Sequence, residues 1–186
     1  MESFILILSL VSIAKAQIPT FGSCPDIPVV PNFDTKFYSG KWFEIEKYFT
    51  VFEIGAICIT SEYSDLGNGT LGVRNQQVQT ISGQVRSIEG MARITDADGG
   101  AKLGVSFPTV AIAGTAPYWV VDTDYKNYSI VWSCTGFGFM SFRIVWFMSR
   151  ERKPSEEIRS RVYAKLKQLQ IPTDPLQKTQ QDGCTG

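Results

Sequence analysis

The sequence contains four cysteines, the residues with the widest reactive chemistry, and they lie far apart at Cys24, Cys58, Cys134 and Cys184. Thiols bind metals, act as nucleophiles or pair as disulfides, depending on their neighbours and the compartment. The chain has no Cys-x-x-Cys pair and no histidine. This argues against a zinc site and excludes Ser-His-Asp, Cys-His and His-ligated haem centres. We expect no metal, no cofactor and no catalytic residue. In an exported chain we expect two disulfides, and three pairings are open.

Residues 1–16 have the pattern of a secretory signal peptide. An apolar run extends from Phe4 to Ile13, and Ala14-Lys15-Ala16 forms a small-x-small cleavage site before Gln17. The run is too short to span a bilayer, and no later stretch reaches the ~20 apolar residues that a span requires. We therefore expect a secreted, extracellular protein. The alternative is a buried N-terminal helix.

Residues 17–186 have the length of a single domain with its own core. Eighteen lysines and arginines balance eighteen aspartates and glutamates, so the chain has no formal net charge. Such a balance provides no general attraction to nucleic acid or to acidic membranes. Hydrophobic residues make up 44% of the chain, which argues against disorder.

Short strands separated by turn residues predict an all-β fold over about residues 40–150. Asn68-Gly69 is a strong hairpin signal, and Asp98-Gly99-Gly100 marks another turn. Eight strands at regular spacing are typical of an antiparallel barrel or sandwich. The predicted strands are Lys41–Phe49, Ile57–Leu66, Leu71–Thr80, Arg86–Thr95, Lys102–Phe107, Tyr118–Thr123, Tyr128–Cys134 and Phe139–Ser149.

After the strands, the pattern changes to that of one amphipathic helix over about residues 155–170. Ser155 is a good N-cap, and Ile171-Pro172 ends the helix. Its apolar face should pack on the outer wall of the barrel, and Cys184 should tether the tail over residues 171–186. The residues of that face are Ile158, Val162, Leu166 and Leu169.

Strand alternation assigns the side chains that face the inside of such a barrel. We take the Trp146 face of the last strand as inward, which leaves Val145 and Phe147 to meet the helix. The inward face mixes large aromatic, small and polar side chains, which favours a ligand cavity, with a filled core as an equal alternative. The residues assigned to it are Asn75; Ile88, Gly90, Ala92 and Ile94; Leu103, Val105 and Phe107; Trp119 and Val121; and Phe142, Ile144, Trp146 and Met148.

Three short motifs in order give the chain a family resemblance. Gly40-Lys41-Trp42 opens the first strand, Thr123-Asp124-Tyr125 joins the sixth and seventh, and Arg150 ends the eighth. With these motifs the sequence resembles the lipocalins, and in particular their apolipoprotein D branch, which includes insect Lazarillo-type members. Shared segments run over nearly the whole chain after residue 16 and include Cys24-Pro25, Pro31-Asn32-Phe33-Asp34, Trp42–Lys47, Asn75-Gln76, Ala116–Trp119, Asn127-Tyr128 and Ser133-Cys134-Thr135.

The resemblance implies an eight-stranded up-and-down barrel in which Trp42 plugs the closed end and Arg150 stacks on it. It also implies pairing of Cys24 with Cys134 and of Cys58 with Cys184. The function it implies is that of a carrier for a small hydrophobic molecule: a lipid, fatty acid, sterol, retinoid or pigment. Its ligand-lining positions fall on Tyr63, Asn75, Trp119 and Trp146, to which strand alternation adds Val105, Phe107, Val121 and Phe142.

The sequence departs from that branch in the segment Thr135–Met140, which is glycine-rich and one residue shorter than the resemblance implies. This segment lies at the predicted open end, so the entrance shape and the ligand do not follow from the resemblance. The segment also lacks a fifth cysteine, so the chain has no unpaired thiol there with which to cross-link to a partner.

Surface features suggest further contacts. Three predicted open-end loops, at residues 48–54, 108–113 and 137–142, are apolar. Such loops favour docking to a lipoprotein particle or a membrane, or else they fold over the entrance and pack on each other. Asn68-Gly69-Thr70 and Asn127-Tyr128-Ser129 are acceptor sequons for N-glycosylation at predicted turns.

Two other classes of function compete with a carrier. In the first, the barrel is filled and the loops bind another protein without any ligand. In the second, a free cysteine inside the cavity catalyses a lipid isomerisation, which needs a thiol with a low pKa. Alternation places Cys58 with Thr60 on the outward face of its strand, which argues against this isomerase.

Overall fold

A computed structural model of the chain describes residues 19–109 and 114–184. The predicted signal peptide and residues 110–113 of the predicted loop at 108–113 lie outside the described residues. Among the described residues, no helix is both long and apolar enough to cross a membrane. The elements in chain order are β1 Pro19–Phe21, α1 Thr35–Tyr38, β2 Gly40–Lys47, a 3₁₀ turn Val51–Glu53, β3 Ala56–Gly67, β4 Thr70–Gln79, β5 Val85–Ile94, β6 Lys102–Ser106, β7 Ala116–Thr123, β8 Tyr128–Phe137, β9 Met140–Ser149, α2 Glu156–Gln168 and β10 Gln177–Lys178.

The predicted barrel of eight antiparallel strands is confirmed. Strands β2 to β9 pair with their neighbours in chain order, and β9 pairs back onto β2, which closes the sheet. The short β1 continues along β9 beyond this closure, with Pro19 opposite Phe142. Because consecutive antiparallel strands alternate in direction, the β2–β3, β4–β5, β6–β7 and β8–β9 connections all lie at one end of the barrel. We call this the open end.

The closed end is plugged by Trp42, which is fully buried. The guanidinium carbon of Arg150 lies 3.7 Å from the Trp42 ring centroid. Arg150 also donates hydrogen bonds to the carbonyl oxygens of Ser39 and Lys41, each at 2.9 Å, and of Tyr125 at 3.1 Å. Gly40 has φ +99°, and a Cβ there would lie 3.1 Å from the guanidinium, so glycine suits this position. The stacking implied by the three motifs is therefore present.

The middle motif builds the turn between β7 and β8. The carboxylate of Asp124 accepts hydrogen bonds from the backbone N–H groups of Lys126, Asn127 and Tyr128. Partial burial alone would raise the pKa of Asp124. The hydrogen bonds from the Asn127 side chain and from the three backbone groups outweigh burial and lower it.

Helix α2 packs on the outside of the barrel, as predicted. The Ser155 hydroxyl accepts a hydrogen bond from the Ile158 N–H and caps the helix. Val162 and Leu166 are fully buried and belong to an outer apolar cluster with Val145 and Phe147 of β9. A second, inner cluster fills the closed half of the barrel around Trp42. Two apolar layers therefore enclose the sheet on this side, one inside the barrel and one under the helix.

The disulfide pairing implied by the resemblance is present. Cys24 pairs with Cys134, and Cys58 pairs with Cys184. All four cysteines lie in the described part of the chain, and none of them is free.

The tethered tail completes the wall of the barrel. The β2–β3 ladder stops at the pair Phe43 and Thr60. Beyond this pair, towards the open end, β10 pairs with β2. The side-chain amide of Gln181 donates to the carbonyl oxygens of Glu44 and Ile59, each at 2.8 Å. The Cys58 N–H donates to the carbonyl oxygen of Gln180. The tail thus bridges β2 and β3 where their own hydrogen bonds end.

Candidate functional site

The barrel encloses a cavity of about 490 Å³. Its walls are formed by β2 to β7 and β9, and the 3₁₀ turn contributes Phe52 and Glu53 near the mouth. Much of the lining is apolar, with a few polar groups between the apolar side chains. This size and this composition are typical of a site for one small ligand rather than of a filled core.

Five of the eight predicted ligand-lining residues meet at this cavity. Tyr63 comes from β3, Asn75 from β4, Val105 and Phe107 from β6 or its end, and Trp146 from β9. The inward faces assigned to these strands by alternation agree with where the side chains lie.

Trp119 and Val121 do not line the cavity, so the assignment of their strand was wrong. In β7 the inward residues are Tyr118, which lines the cavity, and Val120, which belongs to the inner cluster. Trp119 and Val121 instead pack on the outer cluster under the helix. The Lys102 ammonium lies 4.7 Å from the Trp119 ring centroid. Alternation groups residues by face but does not say which face is inward.

Phe142 does not line the cavity either. It shares a face of β9 with Ile144 and Trp146, which do line it. However, the pairing of β9 with β2 ends at Trp146, and Phe142 lies further on, where β9 pairs with β1. At this residue β9 has passed beyond the stretch over which it pairs with β2 and closes the sheet.

Gly90 provides space for a protein side chain rather than for a ligand. A Cβ at Gly90 would lie 2.6 Å from the Phe107 ring and 2.3 Å from the Ser106 carbonyl oxygen. The small residue on β5 therefore allows Phe107 to fold against the wall, where it lines the cavity.

Tyrosine hydroxyls form a chain at the inner end of the cavity. The Tyr63 and Tyr118 hydroxyls lie 2.7 Å apart, those of Tyr118 and Tyr38 lie 3.0 Å apart, and the Tyr38 hydroxyl lies 3.1 Å from Ser129 Oγ. Burial raises the pKa of Tyr38 to about 12 and raises the pKa values of Tyr63 and Tyr118 as well. All three phenols are therefore neutral near neutral pH, and they form a polar floor without charge.

Asn75 has an unpaired acceptor in the wall. Its Oδ1 is buried and has no hydrogen-bond partner among the described residues. A buried polar atom without a partner costs free energy, typically about 1–3 kcal/mol. A ligand that donates an N–H or O–H to Asn75 would recover part of this cost.

Sequence reasoning missed Tyr118 and the carboxyl group of Glu44. Glu44 lines the cavity, although its side chain is only 2% exposed. Its position was open to prediction, because it lies two residues after Trp42 in β2, and side chains two apart in a strand share a face. Burial raises the pKa of Glu44 to about 7, and the nearby Glu53 adds to the rise, against the lowering effects of Lys47 and Thr179.

Both predicted glycosylation asparagines lie exposed in turns. Asn68 stands between β3 and β4 with φ 51°, and Asn127 stands between β7 and β8. The Asn127 amide donates a hydrogen bond of 2.7 Å to Asp124 Oδ2.

Comparison with known proteins agrees with this architecture. Residues 33–181 match the family model described as a lipocalin-like domain. The chain is 38% identical over 181 residues to apolipoprotein D of Cavia porcellus, covering 96% of this chain and 93% of that protein. It is 34% identical over 187 residues to the Lazarillo protein of Schistocerca americana, covering 96% and 85%.

A solved structure shows the same fold. Insecticyanin from the tobacco hornworm Manduca sexta superimposes with a TM-score of 0.77 at 23% sequence identity, and the alignment covers 88% of each chain.

Proposed function

The chain belongs to the lipocalin family, and we therefore propose that it is a secreted carrier that binds and transports one small hydrophobic molecule in its barrel cavity. The observation that carries this proposal is the cavity of about 490 Å³, which is lined largely by apolar side chains. The alternative of a filled barrel, in which the protein acts only through its loops, does not explain such a space.

The hydrophobic effect supplies the binding free energy. Burial of ~400 Å² of apolar ligand surface contributes on the order of 10 kcal/mol at ~25 cal/mol per Å². The loss of ligand freedom on association and the ordering of side chains offset several kcal/mol of this free energy. The remainder corresponds to micromolar to sub-micromolar affinity. The unpaired Asn75 Oδ1 and the neutral Tyr63 hydroxyl orient the polar end of the ligand. A lipid, fatty acid, sterol, retinoid or pigment has a suitable size and polarity.

Export to the extracellular space is part of the proposal. The pattern at residues 1–16 and the two disulfides both suit an oxidising compartment. The exposed turns at Asn68 and Asn127 suit N-glycosylation. Mass spectrometry of the protein secreted by cultured cells, before and after removal of N-glycans, tests the cleavage site and both sequons.

We also propose that the protein docks on a lipid surface through the open end of the barrel. Large apolar side chains there are strongly exposed, and the β2–β3 and β4–β5 loops at this end carry almost no charge. The only charged side chain in residues 48–55, Glu53, is paired with Lys47, and residues 80–85 carry none. The exposed side chains are Phe21, Val51, Phe52, Ile54, Ile81, Val85, Phe137 and Phe139.

Some of these side chains touch each other, as in the alternative in which the loops cover the entrance. The Phe21 and Phe139 rings stack at 6.2 Å, yet each remains more than 70% exposed. An apolar, uncharged rim suits insertion into a neutral lipid surface. Flotation with phosphatidylcholine vesicles should recover the wild type and lose Phe52→Ser and Ile81→Ser variants. If both variants were recovered as well as the wild type, the proposed docking would be wrong.

Catalysis is not part of the proposal. A thiol-dependent isomerase needs a free cysteine, and Cys58 is paired with Cys184.

Tryptophan fluorescence tests the carrier function. Trp146 lines the cavity and Trp119 lies outside it, so a ligand that enters should quench Trp146. Titration with fatty acids, sterols, retinoids and bilins should give saturable one-to-one quenching. The response should persist in Trp119→Phe and disappear in Trp146→Phe. A folded protein with no saturable response to any class would overturn the carrier and favour the ligand-independent interaction protein.

A further inference from the structure

A buried carboxyl group on the wall of an otherwise apolar cavity needs an explanation. Glu44 follows Trp42 on the inward face of β2, lines the cavity and is 2% exposed. An ionised carboxylate in such a place is costly unless it is paired and fully hydrogen-bonded.

Only one of the two Glu44 carboxyl oxygens is satisfied. Oε1 accepts a hydrogen bond from the Thr179 hydroxyl at 2.5 Å, and the Lys47 ammonium lies 3.0 Å from the same atom. No described residue donates to Oε2. Thr179 belongs to the tethered tail, so the tail holds one oxygen of the carboxyl group.

The charges around Glu44 do not balance. The Lys47 ammonium also binds Glu53, which lines the cavity and accepts a hydrogen bond of 2.7 Å from the Thr50 hydroxyl. One ammonium therefore lies between two carboxyl groups. When both acids are ionised, this group of three residues lacks one positive charge.

Among the described residues, neighbouring elements do not supply the missing charge. Strand β9 contributes Trp146 and Met148 to the cavity, and the closest groups from β3 are uncharged. Arg86 on β5 lines the cavity, but it is exposed to water near the open end. The tyrosines of the floor are neutral, because burial raises the pKa values of Tyr63 and Tyr118.

A second, independent observation points to a ligand with N–H donors. Asn75, on β4, has its buried Oδ1 without a partner in the same cavity. The cavity thus offers Asn75 Oδ1, which has no donor among the described residues, and Glu44 Oε2, since Thr179 and Lys47 both contact Oε1. A protonated amine has three donors and one positive charge.

We propose that Glu44 and Glu53 form an ammonium-binding subsite in the cavity wall, so that the carrier prefers apolar ligands with a protonated amine at one end. This inference rests on the proposed carrier function. The ammonium donates to Glu44 Oε2, its charge completes the balance with Lys47 and Glu53, and the apolar part of the ligand fills the rest of the cavity.

The preference depends on pH in a defined direction. Burial raises the pKa of Glu44 to about 7, so below this pH the carboxyl group is largely neutral. Binding of an ammonium then has to release a proton from Glu44, which weakens binding as the pH falls. A neutral alcohol of the same chain length has no such dependence on Glu44.

Three probes with the same alkyl chain test the subsite: dodecylammonium, dodecanol and dodecanoate, each at a concentration at which it is monomeric in solution. At about pH 8 dodecylammonium should bind roughly tenfold more tightly than dodecanol, because its hydrogen bond to Glu44 is charge-assisted. Dodecanoate should bind most weakly. The advantage over dodecanol should shrink as the pH falls through 7, as measured by Trp146 quenching and by calorimetry.

Variants separate the subsite from the fold and from the carrier function. Glu44→Gln and Glu53→Gln should each reduce the ratio of the dodecylammonium and dodecanol affinities towards one. Glu62→Gln, which changes the net charge equally at an exposed site on β3, should keep the ratio of the wild type. Equal affinity for the three probes in the wild type, or an unchanged ratio in both cavity variants, overturns the subsite alone. Absence of binding by all three probes would count against the carrier function itself.

Discussion

At the scale of single residues, Glu44 makes the folding stability depend on pH. Its folded-state pKa of about 7 lies above the ordinary carboxyl value of 4.5, because the group is buried. The folded state therefore holds a proton that the unfolded state has released between these two pH values. The stability contributed by protonated Glu44 is complete below 4.5 and is lost as the pH rises towards 7.

We predict that Glu44→Gln removes this loss. Between pH 4.5 and 7 the free energy of unfolding of the wild type should fall relative to the variant by up to about 1.4 kcal/mol per pH unit. Urea unfolding at several pH values measures the difference. Glu62→Gln, at an exposed site, is the control. Parallel pH profiles for wild type and Glu44→Gln would show that Glu44 titrates normally.

Arg150 seals the closed end through both its charge and its shape. It stacks on Trp42 and donates to several carbonyl oxygens that precede and follow Gly40. We predict that Arg150→Lys destabilises the fold by about 2 kcal/mol, because a lysine cannot stack in the same way or satisfy these carbonyl groups together. Arg161→Lys, on the exposed side of α2, should change the midpoint of thermal unfolding little. Similar midpoints for the two variants would contradict this role.

At the scale of elements, the tail behaves as part of the barrel wall. Gln181 is buried, its amide nitrogen bridges β2 and β3, and its oxygen accepts a hydrogen bond from Arg152 at 2.8 Å. Loss of this side chain leaves the carbonyl oxygens of Glu44 and Ile59 without their donor. Gln181→Ala should therefore destabilise the fold by about 2 kcal/mol.

The matched control is Gln177→Ala, because Gln177 lies in the same tail with an exposed side chain. Urea unfolding should separate the two variants clearly. Equal stability would mean that the tail lies on the barrel without closing it.

The disulfide that holds this tail should contribute more. Cys58 and Cys184 are 126 residues apart, and a loop of this length corresponds to about 4–5 kcal/mol in the chain-entropy model. The double variant Cys58→Ser with Cys184→Ser should unfold at a much lower urea concentration. The double variant should lose more free energy of unfolding than Gln181→Ala. A smaller loss would mean that hydrogen bonds alone close the wall.

At the scale of the whole molecule, the architecture was readable from the sequence because its signals are local. Turn residues such as Asn68-Gly69 mark hairpins, and the spacing of Val162 and Leu166 marks one helix face. The barrel then follows from the number of strands and from the need to satisfy the edges of the sheet.

The wrong and missing predictions for the cavity lining have a different cause. Trp119 and Tyr118 are neighbours, and a shift of one residue reverses which of them faces the ligand. Phe142 lies on the expected face, but no local pattern indicates where the closed part of the barrel ends. Glu44 was missed because a charged residue in a strand is usually read as facing solvent, whereas here Lys47 and Thr179 partly compensate it.

The cavity should take up one ligand, and calorimetry with a cavity-filling variant distinguishes this from binding elsewhere on the protein. Ala116→Trp adds bulk to a small residue that lines the cavity, while Glu62→Trp introduces the same side chain at an exposed position. For the tightest ligand of the fluorescence panel, the wild type and Glu62→Trp should bind with a stoichiometry of one and a negative heat-capacity change, which marks burial of apolar surface. Ala116→Trp, still folded, should not bind. Undiminished binding by Ala116→Trp would place the ligand outside the barrel and contradict the proposed carrier function of the cavity.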